Sequence, residues 1–363
     1  MKVLQVTSAH TRDDIRIYKK ISKSLNSHFK VSFLVADGLG DQVTSHGIRV
    51  FSVNKPKSRL YRFLITPIIL FFKILNFKKH IIHLHDPEMI IVGLLLRIFG
   101  FYVIYDSHED LPKQVLSKKY LNKYSSYFLH KSILAFERVF LHFFTAIICA
   151  SESIKNSMKL FNDTVITVNN YPIINDSFEK LERDKNTAVY IGGISEIRGI
   201  KELVRSLEFS EKINKLRLIG SFNDENLYNE VKKMKGWEKV DYYGQLEHEK
   251  ANLILRKSEV AVVTFLPVPN HLESQPNKLF EYLESKTPIL ISNFKIWKEF
   301  IDKYNCGLTV DPTNPQEIAS TLDKLFSTLN LNQMGEIGYK TIIDQYNWEN
   351  ESKKLIELYN NIK

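Results

Sequence analysis

Cysteine is nearly absent from this 363-residue chain, with Cys149 and Cys306 the only two. Two thiols in apolar settings (IICAS and YNCGL) cannot build a disulfide framework, nor a zinc site without other ligands at suitable spacing. Such usage fits a reducing cytoplasm. No stretch supplies the roughly 20 uninterrupted apolar residues that would span a bilayer. The nearest, residues 60–77, is broken by Arg62, Pro67 and Lys73. The opening MKVLQVTSAH is too short in apolar residues to be the core of a secretory signal. Neither G-x-G-x-x-G nor D-x-D occurs, so the ordinary dinucleotide fingerprint is missing and no simple carboxylate metal motif stands out. Asp86-Pro87-Glu88 comes closest to the latter and reads as structural or acceptor-lining. A resident metal or cofactor is therefore not expected.

The length and the 44% apolar content exclude a disordered chain and suggest two domains of roughly 150 to 180 residues. Charge divides unevenly between them. Residues 1–180 hold 25 Lys+Arg against 14 Asp+Glu, whereas residues 181–363 hold 25 against 27. The basic excess is thus a property of the first half and of one partner surface. Short β-branched runs alternate with helical segments throughout, the pattern of parallel sheets buried on both faces. Expected strands are 3–7, 31–35, 48–53, 81–84, 102–106 and 146–149, then 188–191, 216–219, 240–243, 260–265, 288–292 and 307–310. Polar, proline-bearing 169–186 reads as a linker between a domain at 1–168 and another at 187–345. A terminal helix within 346–363 carries an apolar stripe (Leu355, Ile356, Leu358, Tyr359) that either domain could bury.

Ligands on open α/β sheets bind beyond the carboxyl ends of strands. After 188–191 comes Gly192-Gly193-Ile194-Ser195-Glu196-Ile197-Arg198-Gly199. Paired glycines let backbone approach a ligand, the next helix offers its N-terminus to an anion, and Arg198 can fork hydrogen bonds to a diphosphate. Taken alone, such glycines are as often plain turn formers. After 260–265, a helix is expected from Pro276 or Asn277 to Ser285, with Glu273 in the loop before it and Glu281 in its second turn. Two acids near a helix start could simply favour its dipole. His108, just past the strand ending at Asp106, is by itself a cap or core residue as readily as a functional one.

Glu273 and Glu281 are separated by seven residues, and this pair resembles the E-x7-E signature of the retaining glycosyltransferases of family 4. The resemblance extends through His85-Asp86-Pro87-Glu88, Asp106-Ser107-His108, Gly192 to Gly199, Pro276 to Glu284 and Tyr346-Asn347-Trp348-Glu349. It implies a GT-B fold: α/β, two doubly wound Rossmann-like domains facing a central cleft, with a C-terminal helix. It also implies roles. Arg198 would contact the donor diphosphate, backbone N–H groups of Asn277 and Lys278 the β-phosphate, Glu281 the ribose, Glu273 the transferred sugar, and His108 would lie near that sugar. Gly192 and Gly193 would line the donor loop. His10, Asp13, Asp14 and Arg16 would face the cleft and suit acceptor binding, although a solvated cap with a salt bridge explains them nearly as well. Two departures stand out. Gly193 replaces a common arginine, and Pro276 replaces a common glycine and has no N–H to donate.

Residues 55–79 carry seven basic residues and no acid around an apolar centre, and 113–131 add five lysines and no acid. Lys57, Arg59, Arg62, Lys118 and Lys119 could meet anionic headgroups, or the first segment could simply pack on its sheet. No nucleic-acid motif accompanies them. The resulting expectation is a retaining, metal-independent glycosyltransferase, cytoplasmic and peripheral at the inner face of the cell membrane. It would move a sugar from a UDP- or GDP-linked donor to a lipid-linked or membrane-proximal glycan of a bacterial surface polysaccharide such as O-antigen or capsule. The alternatives are a GT-B nucleotide-sugar epimerase and a non-catalytic, membrane-bound nucleotide-sugar-binding protein.

Overall fold

The computed structural model describes residues 1–362 apart from 109, 117–121, 175–180, 273–274 and 329. The chain forms two compact units: residues 1–170 together with 348–363, and residues 171–347. The first holds an eight-stranded sheet of β1 (Lys2–Thr7), β2 (Lys30–Val35), β3 (Gln42–Val43), β4 (Arg49–Ser52), β5 (His80–Leu84), β6 (Tyr102–Ser107), β7 (Ala146–Cys149) and β8 (Val165–Thr167). Its order is β3-β4-β2-β1-β5-β6-β7-β8, parallel except where β3 meets β4. Helices cover both faces, so all but the first residue of β1 and of β2 is buried, and the strands read as continuous apolar runs.

One face of this sheet is packed by Ile17, Ile21 and Leu25 and by the C-terminal helix Trp348–Asn361 through Trp348, Leu355, Leu358 and Tyr359. That helix therefore belongs to the first unit, a choice its sequence left open. Trp348 Nε1 donates to Ser24 Oγ at 2.8 Å, and Tyr359 Oη lies 2.8 Å from His83 Nδ1. The opposite face buries Leu70, Ile74, Ile90, Leu96 and Leu141 from three helices.

The second unit holds a wholly parallel sheet of β9 (Asp184–Ile191), β10 (Lys215–Ile219), β11 (Val240–Gly244), β12 (Ser258–Val263), β13 (Ile289–Ser292) and β14 (Gly307–Val310) in the order β11-β10-β9-β12-β13-β14. All twelve expected strands are present, some with shifted ends. Two differences concern boundaries. β9 starts at Asp184, inside the stretch read as linker, and the units divide at 170/171. Two further strands, β3 and β8, join the first sheet. The first is a two-residue edge pair exposed at both positions, too short for any periodicity to reveal.

Candidate active site

In each sheet the strand order reverses beside the strand that opens it, β1 and β9, and crevices for ligands form beyond the carboxyl ends there. In the second unit that position is filled by the loop 192–199 after β9. Gly192 N donates to Ile219 O at 2.9 Å and Ile194 N to Ser221 O at 3.0 Å, tying the loop to the end of β10. Gly199 sits at φ +69°, and a Cβ there would meet Thr264 O at 1.8 Å, so only glycine fits. This crossing holds the turn Glu196–Arg198 against the chain leaving β12. Arg198 then lies with its guanidinium 4.1 Å from the Phe265 ring centre. Phe265 is itself fixed by Trp297 and His271. Burial holds His271 below its usual range, and the nearby Arg198 charge acts in the same direction.

The helix Asn277–Glu284 is pinned to the same strand end. Tyr282 Oη accepts from Ile191 N at 2.8 Å and donates to Ile191 O at 3.2 Å. Pro276 is the residue before the first turn, with φ −76° and ψ 132°, and provides no side-chain cap. Among the described residues, no side-chain acceptor is recorded for the N–H groups of Asn277 and Lys278 at this helix start, the setting of an anion site. The Lys278 side chain reaches over Gly192 and pairs with Glu281 at 3.1 Å. Arg198, Gly192, Gly193, Asn277, Lys278 and Glu281 thus belong to loops and a helix start at neighbouring strand ends. Glu273 lies outside the described residues. Among those described, Arg198 has no acidic partner, so the loop presents an uncompensated cation. A cavity of about 720 Å³ in this unit, lined by Arg183, Lys185, Glu259 and Lys286, lies where β9 begins, at the opposite end of the sheet.

In the first unit the corresponding crevice is built on Asp86, 2% exposed. Its Oδ2 accepts from Thr7 Oγ1 at 2.8 Å and Ser8 N at 2.6 Å, and Oδ1 is 3.6 Å from His10 Nε2. Glu88 accepts from Ser8 Oγ at 2.8 Å and pairs with Arg62. Asp86-Pro87-Glu88 is therefore the brace of the loop after β1. His10 pairs through Nδ1 with Asp14 at 3.1 Å, and Asp14 also caps the next helix by accepting from Ile17 N. Burial would push Asp14 up, but His10 and the Ile17 N–H hold it at about 2; the same bond raises His10. Asp13 is exposed at the loop's edge.

Arg16 is placed differently from its expected role. It is 5% exposed and forks to Asp106, Nε to Oδ2 at 2.9 Å and Nη2 to Oδ1 at 2.7 Å, while Nη1 donates to Val168 O. A guanidinium so enclosed is not available to an acceptor. His108, with a side chain 20% exposed, lies 3.0 Å from Asp106 Oδ2 through Nε2, and its ring centre is 5.3 Å from that of His10. Sequence reasoning named His108 but gave Asp106 no role; the period-2 spacing of Asp106 and His108 was the available signal. His83, His85 and Asp106 bring three potential ligand atoms within 4.8 Å. A divalent cation there would stand beside the Arg16 guanidinium already bonded to the same carboxylate, so the group reads as a hydrogen-bonded network rather than a metal cage.

The basic segment 55–79 forms two helices, Arg59–Leu64 and Thr66–Ile74. The packing on the sheet holds in part. Thr66, Pro67, Leu70 and Ile74 are buried, while Leu60, Phe63, Leu64, Ile68 and Phe72 are exposed. Lys57 and Arg59 are exposed, but Arg62 is partly covered and engaged with Glu88. Lys118 and Lys119 lie outside the described residues. No helix among the described residues is long and apolar enough to cross a membrane.

Two family models match the chain in succession: Glycosyltransferase Family 4 over residues 6–170 and Glycosyl transferases group 1 over residues 173–341. An uncharacterised glycosyltransferase of Methanocaldococcus jannaschii is 24% identical over 183 residues. That match takes in 49% of this chain and only about half, 46%, of the relative's length. Among solved structures, sucrose-phosphate synthase of Thermosynechococcus elongatus superposes with a TM-score of 0.80 at 15% identity, covering 99% of this chain and 98% of that one. A glycosyltransferase of Rickettsia africae gives 0.75 at 15% identity, with the same coverage. An Anabaena protein solved with UDP-glucose gives 0.73 at 12% identity and full coverage of both. The fold is GT-B, two parallel-sheet α/β domains.

Proposed function

We propose that this chain, a GT-B glycosyltransferase by the family matches of both its halves, transfers a sugar from a nucleotide-sugar donor held by its second unit. The observation that carries this reading is the convergence of Arg198, Lys278 and a helix N-terminus that Pro276 does not cap, beside Gly192 and Gly193, a site suited to a diphosphate. UDP and UDP-glucose bind the structurally similar Anabaena protein, which supports a nucleotide-linked donor. The leaving diphosphate gains negative charge as the glycosidic bond breaks. A fixed cation and oriented N–H groups stabilise that charge without reorganising. Transfer with retention of configuration and without a metal is part of the proposal, motivated by the E-x7-E spacing and by the absence of D-x-D.

The acceptor is proposed to be a lipid-linked or membrane-proximal glycan, in surface-polysaccharide assembly, with the protein peripheral at the inner face of the cell membrane. Its support is the first unit's exposed apolar and basic surface at Lys57, Arg59, Leu60, Phe63 and Leu64. The deciding experiment measures nucleotide release from a panel of UDP- and GDP-sugars, with and without lipid extract and with and without EDTA, and follows the anomeric product by NMR. Acceptor-dependent release that survives EDTA, with the donor's anomeric configuration kept, is the expected result. Sugar isomerisation without acceptor would replace this reading with an epimerase, and nucleotide binding without turnover would replace it with a binding protein.

A further inference from the structure

A cavity of about 1000 Å³ in the first unit opens where β1, β5 and β6 begin, at the opposite end of the sheet from Asp86. β1 and β6 are six residues long, and a rise of about 3.3 Å per residue puts the two ends roughly 20 Å apart, so a sugar held beside Asp86 does not reach it. Its walls are apolar, built by Leu75 just past the helix Thr66–Ile74, by Ile81 of β5, by Phe101 and Tyr102, and by Ile362 after the C-terminal helix. Such a volume is at the top of the range of small-molecule pockets, about 300 to 1000 Å³. No acid is among the residues that line it, whereas Lys78 and Lys79 do so and are exposed. Lys79 sits at φ +68°, a backbone state that favours glycine, in a turn closed by His80 N donating to Phe77 O at 3.1 Å. Burial lowers His80, and the charges of Lys2 and Lys30 act in the same direction, so the surroundings are basic on more than one side. The cavity also runs into exposed apolar surface. Phe99 lines it and meets the Phe71 ring at 5.9 Å between centres, Phe71 meets Phe72 at 5.5 Å, and Phe72, Ile98 and Phe99 are exposed.

We propose that this cavity takes one hydrocarbon chain of an anionic membrane phospholipid, whose phosphate is held by Lys78 and Lys79. Apolar walls select a chain, and a rim with two cations and no acid selects an anionic head over a neutral one. Because the rim continues into the exposed rings of Phe99 and Phe72, a chain enters sideways from the leaflet those rings touch, and its head stays at the interface. The lipid is a ligand and not a substrate, for it is bound far from both crevices and none of its bonds changes. This inference rests on the membrane placement proposed above and not on sugar transfer.

The test titrates the full chain with alkyl phosphates below their micelle concentrations, by calorimetry, and follows ¹³C-labelled isoleucine methyls assigned from Ile81→Val and Ile362→Val. Dodecyl phosphate should bind at a single site, and each methylene removed on going to decyl and octyl phosphate should weaken it about fourfold. Dodecyl maltoside, with the same chain and a neutral head, should bind about tenfold or more weakly, and Lys78→Glu with Lys79→Glu should bring dodecyl phosphate down to that level. Inorganic phosphate should be weaker still. The methyls of Ile81 and Ile362 should shift while that of the exposed Ile68 stays in place. Ile362→Trp, which fills the cavity, should weaken both dodecyl ligands. Equal binding of the phosphate and the maltoside, affinity independent of chain length, or shifts confined to Ile68 would overturn the proposal, as would sedimentation showing that a second copy of the chain closes the cavity. If Ile362→Trp does not fold, the chain-length series and the lysine pair decide it. Lipid binding in a protein without transferase activity would refute the function and leave this site standing, and transfer without lipid binding would refute the site alone.

Discussion

Arg198 and Arg16 are both arginines in loops or helix starts after an opening strand, and the structure gives them opposite fates. Arg198 rests on an aromatic face with no acidic partner among the described residues. Arg16 is spent on a buried carboxylate. Sequence motifs named both as candidate ligand groups but could not see that Asp106, ninety residues away, would claim the second. From the first follows an expected outcome: Arg198→Ala should lower turnover tens-fold, since a charge-assisted contact is worth about 1.5 to 3 kcal/mol. Steady-state kinetics with the preferred donor would show it, and wild-type kinetics would remove Arg198 from the diphosphate site. Glu137 offers a second residue-scale test. It is 1% exposed, neither oxygen has a hydrogen-bond partner among the described residues, and burial pushes its carboxyl up to about 8, with Asp110 adding to the rise. The folded chain then holds a proton that the unfolded chain releases above pH 4.5 or so, and stability is lost as pH rises from there towards 8. Glu137→Gln keeps the shape and cannot titrate. Its Tm should match wild type near pH 4.5 and exceed it at pH 8; parallel curves would show that Glu137 is ionised when folded.

At the scale of elements, most strands were legible because a parallel sheet covered on both faces demands continuous apolar runs, whereas the edge strand β11 (VDYYG) has no fully buried residue. The helix at 277–284 was legible from its proline and its turn signals, although Pro276 proves to precede the first turn rather than occupy it. What no local pattern announces is how that helix is aimed. Tyr282, buried like any core aromatic, uses its hydroxyl to satisfy both the N–H and the C=O of Ile191 where β9 ends. The loop 192–199 and the helix start thereby keep a fixed relation. Tyr282→Phe leaves the part-buried N–H and C=O of Ile191 without that partner, at a cost of at most about 1 to 3 kcal/mol for each group. We expect a lower denaturation midpoint together with weaker nucleotide binding, measured by calorimetric titration with UDP and GDP. Reduced stability with unaltered affinity would confine Tyr282 to the core and detach it from the site.

Taken over the whole molecule, part of the basic excess read from composition lies beside exposed apolar residues of the first unit. The sequence showed the basic excess but not which apolar residues would stay outside. Packing decides this, because Leu70 and Ile74 reach the sheet and Leu60, Phe63, Leu64, Ile68 and Phe72 do not. Five exposed large apolar side chains beside Lys57 and Arg59 form a surface with two separable affinities. Coulomb attraction to anionic headgroups is worth about 1 kcal/mol per basic residue and fades as the Debye length shortens from about 30 Å at 0.01 M salt to about 8 Å at 0.15 M. Apolar insertion is indifferent to that screening. Co-sedimentation with vesicles containing anionic lipid should therefore fall with salt to a plateau above zero. Lys57→Glu with Arg59→Glu should abolish the salt-dependent part, whereas Leu60→Ser with Phe63→Ser should lower the plateau. Arg62 is left unchanged in this design, because its pairing with Glu88 braces the loop after β1 and its reversal would disturb that loop instead. Nucleotide affinity should be untouched in both double variants, as the proposed donor residues belong to the other unit. Equal binding to neutral and anionic vesicles would leave only the apolar contribution, and no binding to either would make these helices a solvated cover of the sheet.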